Sequence, residues 1–129
     1  MVVDTSVLAA IAFGEAEAAL FDDRIRSAET RRISAASCVE LATVLSRRLR
    51  VDAPPVVRRL LDDYELQVVD VDGAQMGLAM EAVIRFGKGR HPARLNFGDC
   101  FSYALARSLD MPLLFKGEDF THTDLTPAI

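Results

Sequence analysis

The sequence has no tryptophan, only two cysteines and two histidines, and no apolar run long enough to cross a bilayer. Each shortage removes a class of function. Cys38 and Cys100 are too few and too widely spaced for a disulfide scaffold, and no Cys-x-x-Cys pair suggests zinc. Both read as small buried thiols. His91 and His122 each stand alone in a polar stretch, so neither is expected to act as a metal ligand or a base. No persuasive Ser–His or Cys–His arrangement offers a protein nucleophile. The longest apolar stretches, such as Val7 to Phe13, fall far short of the ~20 residues a membrane span needs. Met1-Val2-Val3-Asp4 has no basic segment and meets a carboxylate at once, which argues against a signal peptide. The expectation is a cytoplasmic protein without a membrane partner.

What is present points to one folded unit over residues 1–129, half of them hydrophobic, with a core built mainly of Ala, Val, Leu and Ile. Such an apolar content argues against disorder. The 15 basic and 19 acidic residues leave a net charge of −4, which would ordinarily disfavour a polyanionic partner. A site that gathers carboxylates around metal is acidic in itself, however, and the bound cations reverse the sign. Thirteen of the 15 basic residues are arginine, many of them in pairs.

Strand and helix patterns alternate along the chain. Met1-Val2-Val3 reads as a short buried strand ending in Asp4, with Thr5-Ser6 placed to cap a helix over Val7 to Phe13. Gly14 breaks that helix, and Glu15 to Ser27 predicts a second. Arg32 to Ala35 predicts a strand, Ser37 to Leu49 a helix, and Pro54-Pro55 opens another helix to about Tyr64. Gln67 to Val71 is a strand candidate, Gly73 to Phe86 a helix, and residues 87–96 a basic Gly/Pro-containing loop. Asp99 to Leu109 predicts a last helix and Pro112 to Phe115 a last strand, followed by the turn Lys116-Gly117-Glu118-Asp119. This alternation implies an α/β fold whose mostly parallel sheet is covered on both faces. Ligands then bind beyond the carboxyl ends of the strands.

Four acids fall on that edge: Asp4 and Asp119 after strands, Glu40 and Asp99 in the first turns of helices. Each has a structural alternative. Asp4 suits a helix cap, Ser37-x-x-Glu40 matches a capping box, Asn96-x-x-Asp99 fits a similar cap, and Asp119 suits a turn. Together they would repel one another unless something cationic neutralised them. Magnesium takes oxygen ligands from a few carboxylates while keeping several waters. Two such ions ~3.5–4 Å apart can activate water and stabilise the leaving oxygen of a phosphoryl displacement.

The stretches Met1-Val2-Val3-Asp4-Thr5-Ser6, Glu40 in its Ser-rich helix start, Asn96-Phe97-Gly98-Asp99-Cys100 and Leu113-Leu114-Phe115-Lys116-Gly117-Glu118-Asp119-Phe120 resemble the four acidic motifs of PIN-domain ribonucleases. More narrowly, they resemble the VapC toxins of bacterial VapBC toxin–antitoxin pairs, over essentially the whole chain. The resemblance implies a PIN-like three-layer fold and an endoribonuclease dependent on Mg2+ or Mn2+, cutting RNA and held inactive by a VapB-type antitoxin. It makes Asp4 and Asp99 the principal metal ligands, with Glu40 completing the shell and helping to orient the attacking water. The family commonly has an acid or Asn where this chain has Gly117, so the fourth carboxylate falls to Asp119, with Glu118 as the alternative.

Lys88, Arg90 and Arg94 lie just before Asp99 and, with Lys116, are candidates for tracking RNA phosphates. Leu8, Ile11, Phe13, Leu20 and Phe21 on the first two helices offer a candidate apolar surface, where the resemblance suggests an antitoxin groove and a toxin homodimer. The competing reading is a catalytically inactive PIN-like module that binds a partner or RNA. A phosphatase of the haloacid-dehalogenase type needs a second Asp two residues after the first, where this chain has Ser6. A receiver domain would have to use Lys116, which sits in the wrong kind of turn.

Overall fold

The computed structural model describes residues 1–129 and places four short strands and six helices in alternation. These are β1 (Val2–Val3), α1 (Thr5–Ala12), α2 (Ala18–Ser27), β2 (Arg32–Ser34), α3 (Ala35–Leu49), α4 (Ala53–Asp63), β3 (Gln67–Val69), α5 (Gly73–Phe86), α6 (Phe97–Leu109) and β4 (Leu113–Leu114). A single 3-10 turn, Asp119–His122, follows. The strands form one parallel sheet in the order β3-β2-β1-β4.

Side chains alternate across the strands, and that alternation builds two apolar layers. Val3 and Leu114 face one side with Leu8, Ile25, Ile33, Leu41 and Leu45. Val2 and Leu113 face the other side with Phe86, Leu95, Tyr103 and Leu105. Helices α1 to α4 cover the first face, and α5 with α6 covers the second. The chain leaves β1 toward β2 and β3, then crosses back to place β4 on the other side of β1. The carboxyl ends of β1 and β4 therefore flank the switch point of the sheet, where a crevice opens in folds of this kind.

The observed ends differ from the expected ones for traceable reasons. The strand predicted over Gln67 to Val71 stops at Val69, because its partner β2 stops at Ser34 in register with it. Ser34, rather than Ser37, caps α3 by accepting the Ala36 N–H, so the helix starts two residues earlier than expected. The last strand shrinks to Leu113–Leu114 because β1 has only two residues to pair with it. Of the capping alternatives at the start of α1, Asp4 is the one the structure uses, accepting the Ser6 N–H in place of a cap by Thr5 or Ser6. Gly14, at φ 63°, turns the chain out of α1 in the left-handed region, and α2 begins only at Ala18.

Candidate metal-binding active site

Asp4 leaves the carboxyl end of β1 with its side chain almost completely buried. Its backbone N–H donates to Leu114 O at 2.9 Å, which ties the end of central β1 to the edge strand β4. Both carboxylate oxygens are held. Oδ2 accepts the Ser6 N–H at 3.0 Å and the Ser6 hydroxyl at 2.6 Å, and Oδ1 accepts the Ser102 hydroxyl at 2.6 Å. Ser102, fully buried on α6, in turn shares a 3.2 Å contact with the Ser37 hydroxyl of α3. Hydrogen bonds to a charged acceptor contribute about 1.5–3 kcal/mol each, so Asp4 is fixed in one rotamer. Ser6, Ser37 and Ser102 were not among the sequence candidates. Only Ser6, two residues from Asp4, carried a local signal.

Asp99 stands at the start of α6. Its Oδ2 accepts the Asn96 N–H at 2.9 Å while Asn96 Oδ1 accepts the Asp99 N–H at 2.9 Å, so the capping box expected there is present. That role does not leave the carboxyl ordinary. Burial, joined by the charges of Asp4, Glu40 and Asp119, pushes its pKa up to about 7 against the pull of the Asn96 N–H. Glu40 is also raised, first by burial and then by Asp4, with the Thr5 hydroxyl working the other way. Because Ser34 is the cap, Glu40 is the sixth residue of α3 and takes no part in a capping box. Of the two acids in the last turn, Asp119 is the one whose charge reaches Asp99. Gly117, where the resembling motif has an acid or Asn, turns at φ 92°.

None of these four acids has an ion-pair partner. Nor does any group of three or more Asp, Glu, His or Cys side chains close tightly enough to enclose a metal. The acids feel one another across a shared edge, but Asp4 is turned toward its hydroxyl donors and Asp99 toward Asn96. An open, all-oxygen set with uncompensated charge fits a hard divalent cation that keeps several of its waters, and does not fit a dry zinc-type cage. Beside the acids, a cleft of about 430 Å3 opens between α3 and α6, lined by Ala36, Val39, Glu40, Thr43, Phe97, Gly98 and Phe101.

The basic candidates separate into two kinds. Lys88, Arg90 and Arg94 are exposed on a turn pinned by the Lys88 N–H to Leu95 O and the Leu95 N–H to Phe86 O, both 2.9 Å. His91 anchors that turn, with Nδ1 accepting the Ala93 N–H and its ring packed edge-on against Phe86. Lys116 is not an open cation. Its ammonium pairs with Glu15 and with Glu17, and those partners raise its pKa. The apolar surface expected on the first two helices is also largely absent. Leu8 and Phe21 are buried, Ile11 is half-buried, and Phe13 lies under the Arg48 guanidinium, which leaves Leu20 as the exposed member. Exposed apolar side chains cluster elsewhere, on Met76, Met80, Val83 and Ile84 of α5 and on Phe97, which is 79% exposed.

With this geometry in hand, comparison with known proteins is decisive. The PIN domain family model matches residues 1–125. The chain belongs to the PIN-domain family. Ribonuclease VapC42 of Mycobacterium tuberculosis (strain ATCC 25618 / H37Rv) is 47% identical over 129 residues, covering 99% of this chain and 98% of the relative. Ribonuclease VapC28 of the same strain is 45% identical over 134 residues, covering 100% and 98%. The VapC ribonucleases are thus full-length relatives of this PIN domain. Among solved structures, the fold matches M. tuberculosis VapC20, described as a sarcin-ricin loop cleaving toxin, with a TM-score of 0.78 at 22% identity, covering 97% of this chain and 95% of that one. It also matches a toxin–antitoxin complex from Klebsiella pneumoniae, with a TM-score of 0.70 at 14% identity over 95% and 92% of the two chains.

Proposed function

We propose that this PIN-domain protein is an endoribonuclease toxin of the VapC kind, dependent on Mg2+ or Mn2+ and neutralised by a VapB-type antitoxin. One observation carries the reading. Asp99 sits among Asp4, Glu40 and Asp119 with no cationic side chain to balance them, and its pKa is pushed up to about 7. A divalent cation bound there supplies the missing positive charge, acidifies water and stabilises charge on a phosphoryl group.

The chain's own residues prepare that chemistry. Asp4, clamped by Ser6 and Ser102, presents its remaining lone pairs in a fixed direction. Asp99 and Asp119 would add further carboxylate oxygens, close enough for the charge of Asp119 to act on Asp99. Glu40, with its raised pKa, accepts a proton from the attacking water at its carboxylate and orients that water. Lys88, Arg90 and Arg94 hold RNA phosphates on the adjacent turn, where charge rather than base identity sets affinity.

The α5 face completes the assembly. Met76, Met80, Val83 and Ile84 are uncharged, so a second copy presenting the same face covers them symmetrically in a homodimer. Met80→Glu should convert that dimer to a monomer in sedimentation analysis, and an unchanged mass would remove the assignment. No helix is long and apolar enough to cross a membrane, and the protein acts on RNA in the cytoplasm.

The direct test is cleavage of a mixed RNA pool in magnesium, comparing the wild type with Asp99→Asn and with an EDTA control. Cutting that disappears in both controls supports the metal nuclease. The second reading, an inactive binding module, draws on the capping roles of Asp4 and Asp99. It takes over if no sample cuts RNA and none binds metal.

A further inference from the structure

Gly98, the second residue of α6, has no conformational reason to be glycine. Its φ is negative, unlike Gly14, Gly89 and Gly117, so any residue could adopt its backbone. Glycine is also among the poorest helix formers. What requires it is space. A β-carbon built at this position would overlap the Glu40 carboxyl group, and even the farther oxygen, Oε1, would lie 2.8 Å from it. The Glu40 carboxylate therefore lies directly against the bare backbone of the first turn of α6, one residue from Asp99.

We infer that Gly98 is a positioning residue: its missing side chain is the slot that seats the Glu40 carboxylate beside Asp99 in the metal site. The inference rests on the metal-nuclease reading above and names a further residue of that site. The rest of Glu40's surroundings fit this role. Glu40 is half-buried in the lining of the cleft between α3 and α6, it forms no ion pair, and α3 needs no cap from it. The α6 backbone on one side and the Thr5 hydroxyl on the other thus fix the direction of its carboxylate. An added methyl group at 98 cannot displace helix backbone, so the flexible Glu40 side chain must swing away.

A structural role and a positioning role predict opposite results for Gly98→Ala. Replacing a helical glycine with alanine should leave the melting temperature unchanged or raise it. If the slot positions Glu40, the same variant should bind Mn2+ about tenfold or more weakly, the scale of losing an orienting partner of a metal ligand. It should also cleave RNA correspondingly more slowly.

The experiment is a double-mutant cycle read by Mn2+ calorimetry and thermal melting on the wild type, Gly98→Ala, Glu40→Ala and the double variant. With Glu40 already gone, the alanine at 98 has nothing to displace, so the double variant should bind Mn2+ as Glu40→Ala does. Wild-type affinity in Gly98→Ala overturns the inference, as does a further tenfold loss in the Glu40→Ala background. Should Gly98→Ala fold poorly, the double variant regains the fold if the clash is with Glu40, and an equally unfolded double variant overturns the idea. A wild type that binds Mn2+ and cuts RNA while Gly98→Ala matches it removes the positioning role alone. A wild type that does neither removes the functional reading along with it.

Discussion

Asp99 carries the most discriminating prediction, because its capping role and its site role pull stability in opposite directions. Its folded pKa of about 7 lies above its unfolded value of 3.8. Between those values the folded protein holds a proton that the unfolded chain has released, so the metal-free protein loses stability as pH rises through that window. Above pH 7 both states are ionised and the full penalty is in place. Each pH unit is worth about 1.4 kcal/mol, which sets a ceiling of about 4 kcal/mol. Asp99 is only partly covered and solvent screens it, so we expect about half of that. An Asn at 99 cannot ionise, yet it keeps an oxygen for the Asn96 N–H. It gives up the carboxylate's attraction to the helix N-terminus, about 0.3–1 kcal/mol. Asp99→Asn should therefore be more stable than the wild type by about 1–2 kcal/mol at pH 8 in EDTA, or roughly 3–6 °C. The gain should fade by pH 4, and magnesium should reverse it by stabilising only the wild type. Thermal melts across pH 4–8, with and without magnesium, read this directly. A variant that melts below the wild type by the same margin at every pH would refute the reasoning and leave Asp99 as a cap.

Glu40→Gln should stop cleavage with no loss of melting temperature; lost stability with turnover intact would return Glu40 to a structural role. Ser102→Ala should cost about 1.5–3 kcal/mol, because it removes the hydroxyl that donates to buried Asp4. Its cleavage rate should fall even well below the melting temperature, and full activity there would show that Asp4 needs no second clamp. Replacing Arg90 and Arg94 together by Ala should weaken RNA binding and flatten its dependence on salt, leaving turnover at saturation nearly unchanged. An unaltered salt slope would place the RNA path elsewhere.

The parts of this fold legible in the sequence are those decided locally. Gly73 to Phe86 matches α5 from end to end, and the Asn96–Asp99 cap is written in four consecutive residues. What sequence reasoning misplaced depends on partners far along the chain. The C-terminal end of β3 is set by β2, and the choice between Ser34 and Ser37 as cap follows from Ile33 being held in the sheet. Lys116 looks like an open cation until α1's trailing residues bring Glu15 to it across 101 positions. Ser102 reaches Asp4 across 98 positions, with no spacing rule that could announce it. The exposed α5 face was hidden for a different reason. Its exposed Met, Val and Ile residues are interleaved with buried Ala79 and Ala82 and with the charged pair Glu81 and Arg85, so the sequence pattern alone does not say which apolar side chains are left uncovered.

Capping and chemistry are usually set against each other as explanations for an acid at a helix start, but here one supports the other. A cap holds a carboxylate in one rotamer, and Asp4 and Asp99, each held this way, stand close enough for the charge of Asp4 to raise the Asp99 pKa. Asp4 spends part of its hydrogen-bonding capacity on Ser6 and keeps the rest of it aimed. Asp99 spends one oxygen on Asn96 and still ends with a pKa of about 7, because burial and three like charges outweigh the cap. A purely structural cap gains nothing from neighbours that raise its pKa, and it would be more stable standing apart from them. The unfavourable crowding of Asp4, Glu40, Asp99 and Asp119 is therefore what a set of helix caps alone does not explain and what the proposed metal would relieve. It is also why removing one charge, at Asp99, should strengthen the metal-free fold while destroying the activity.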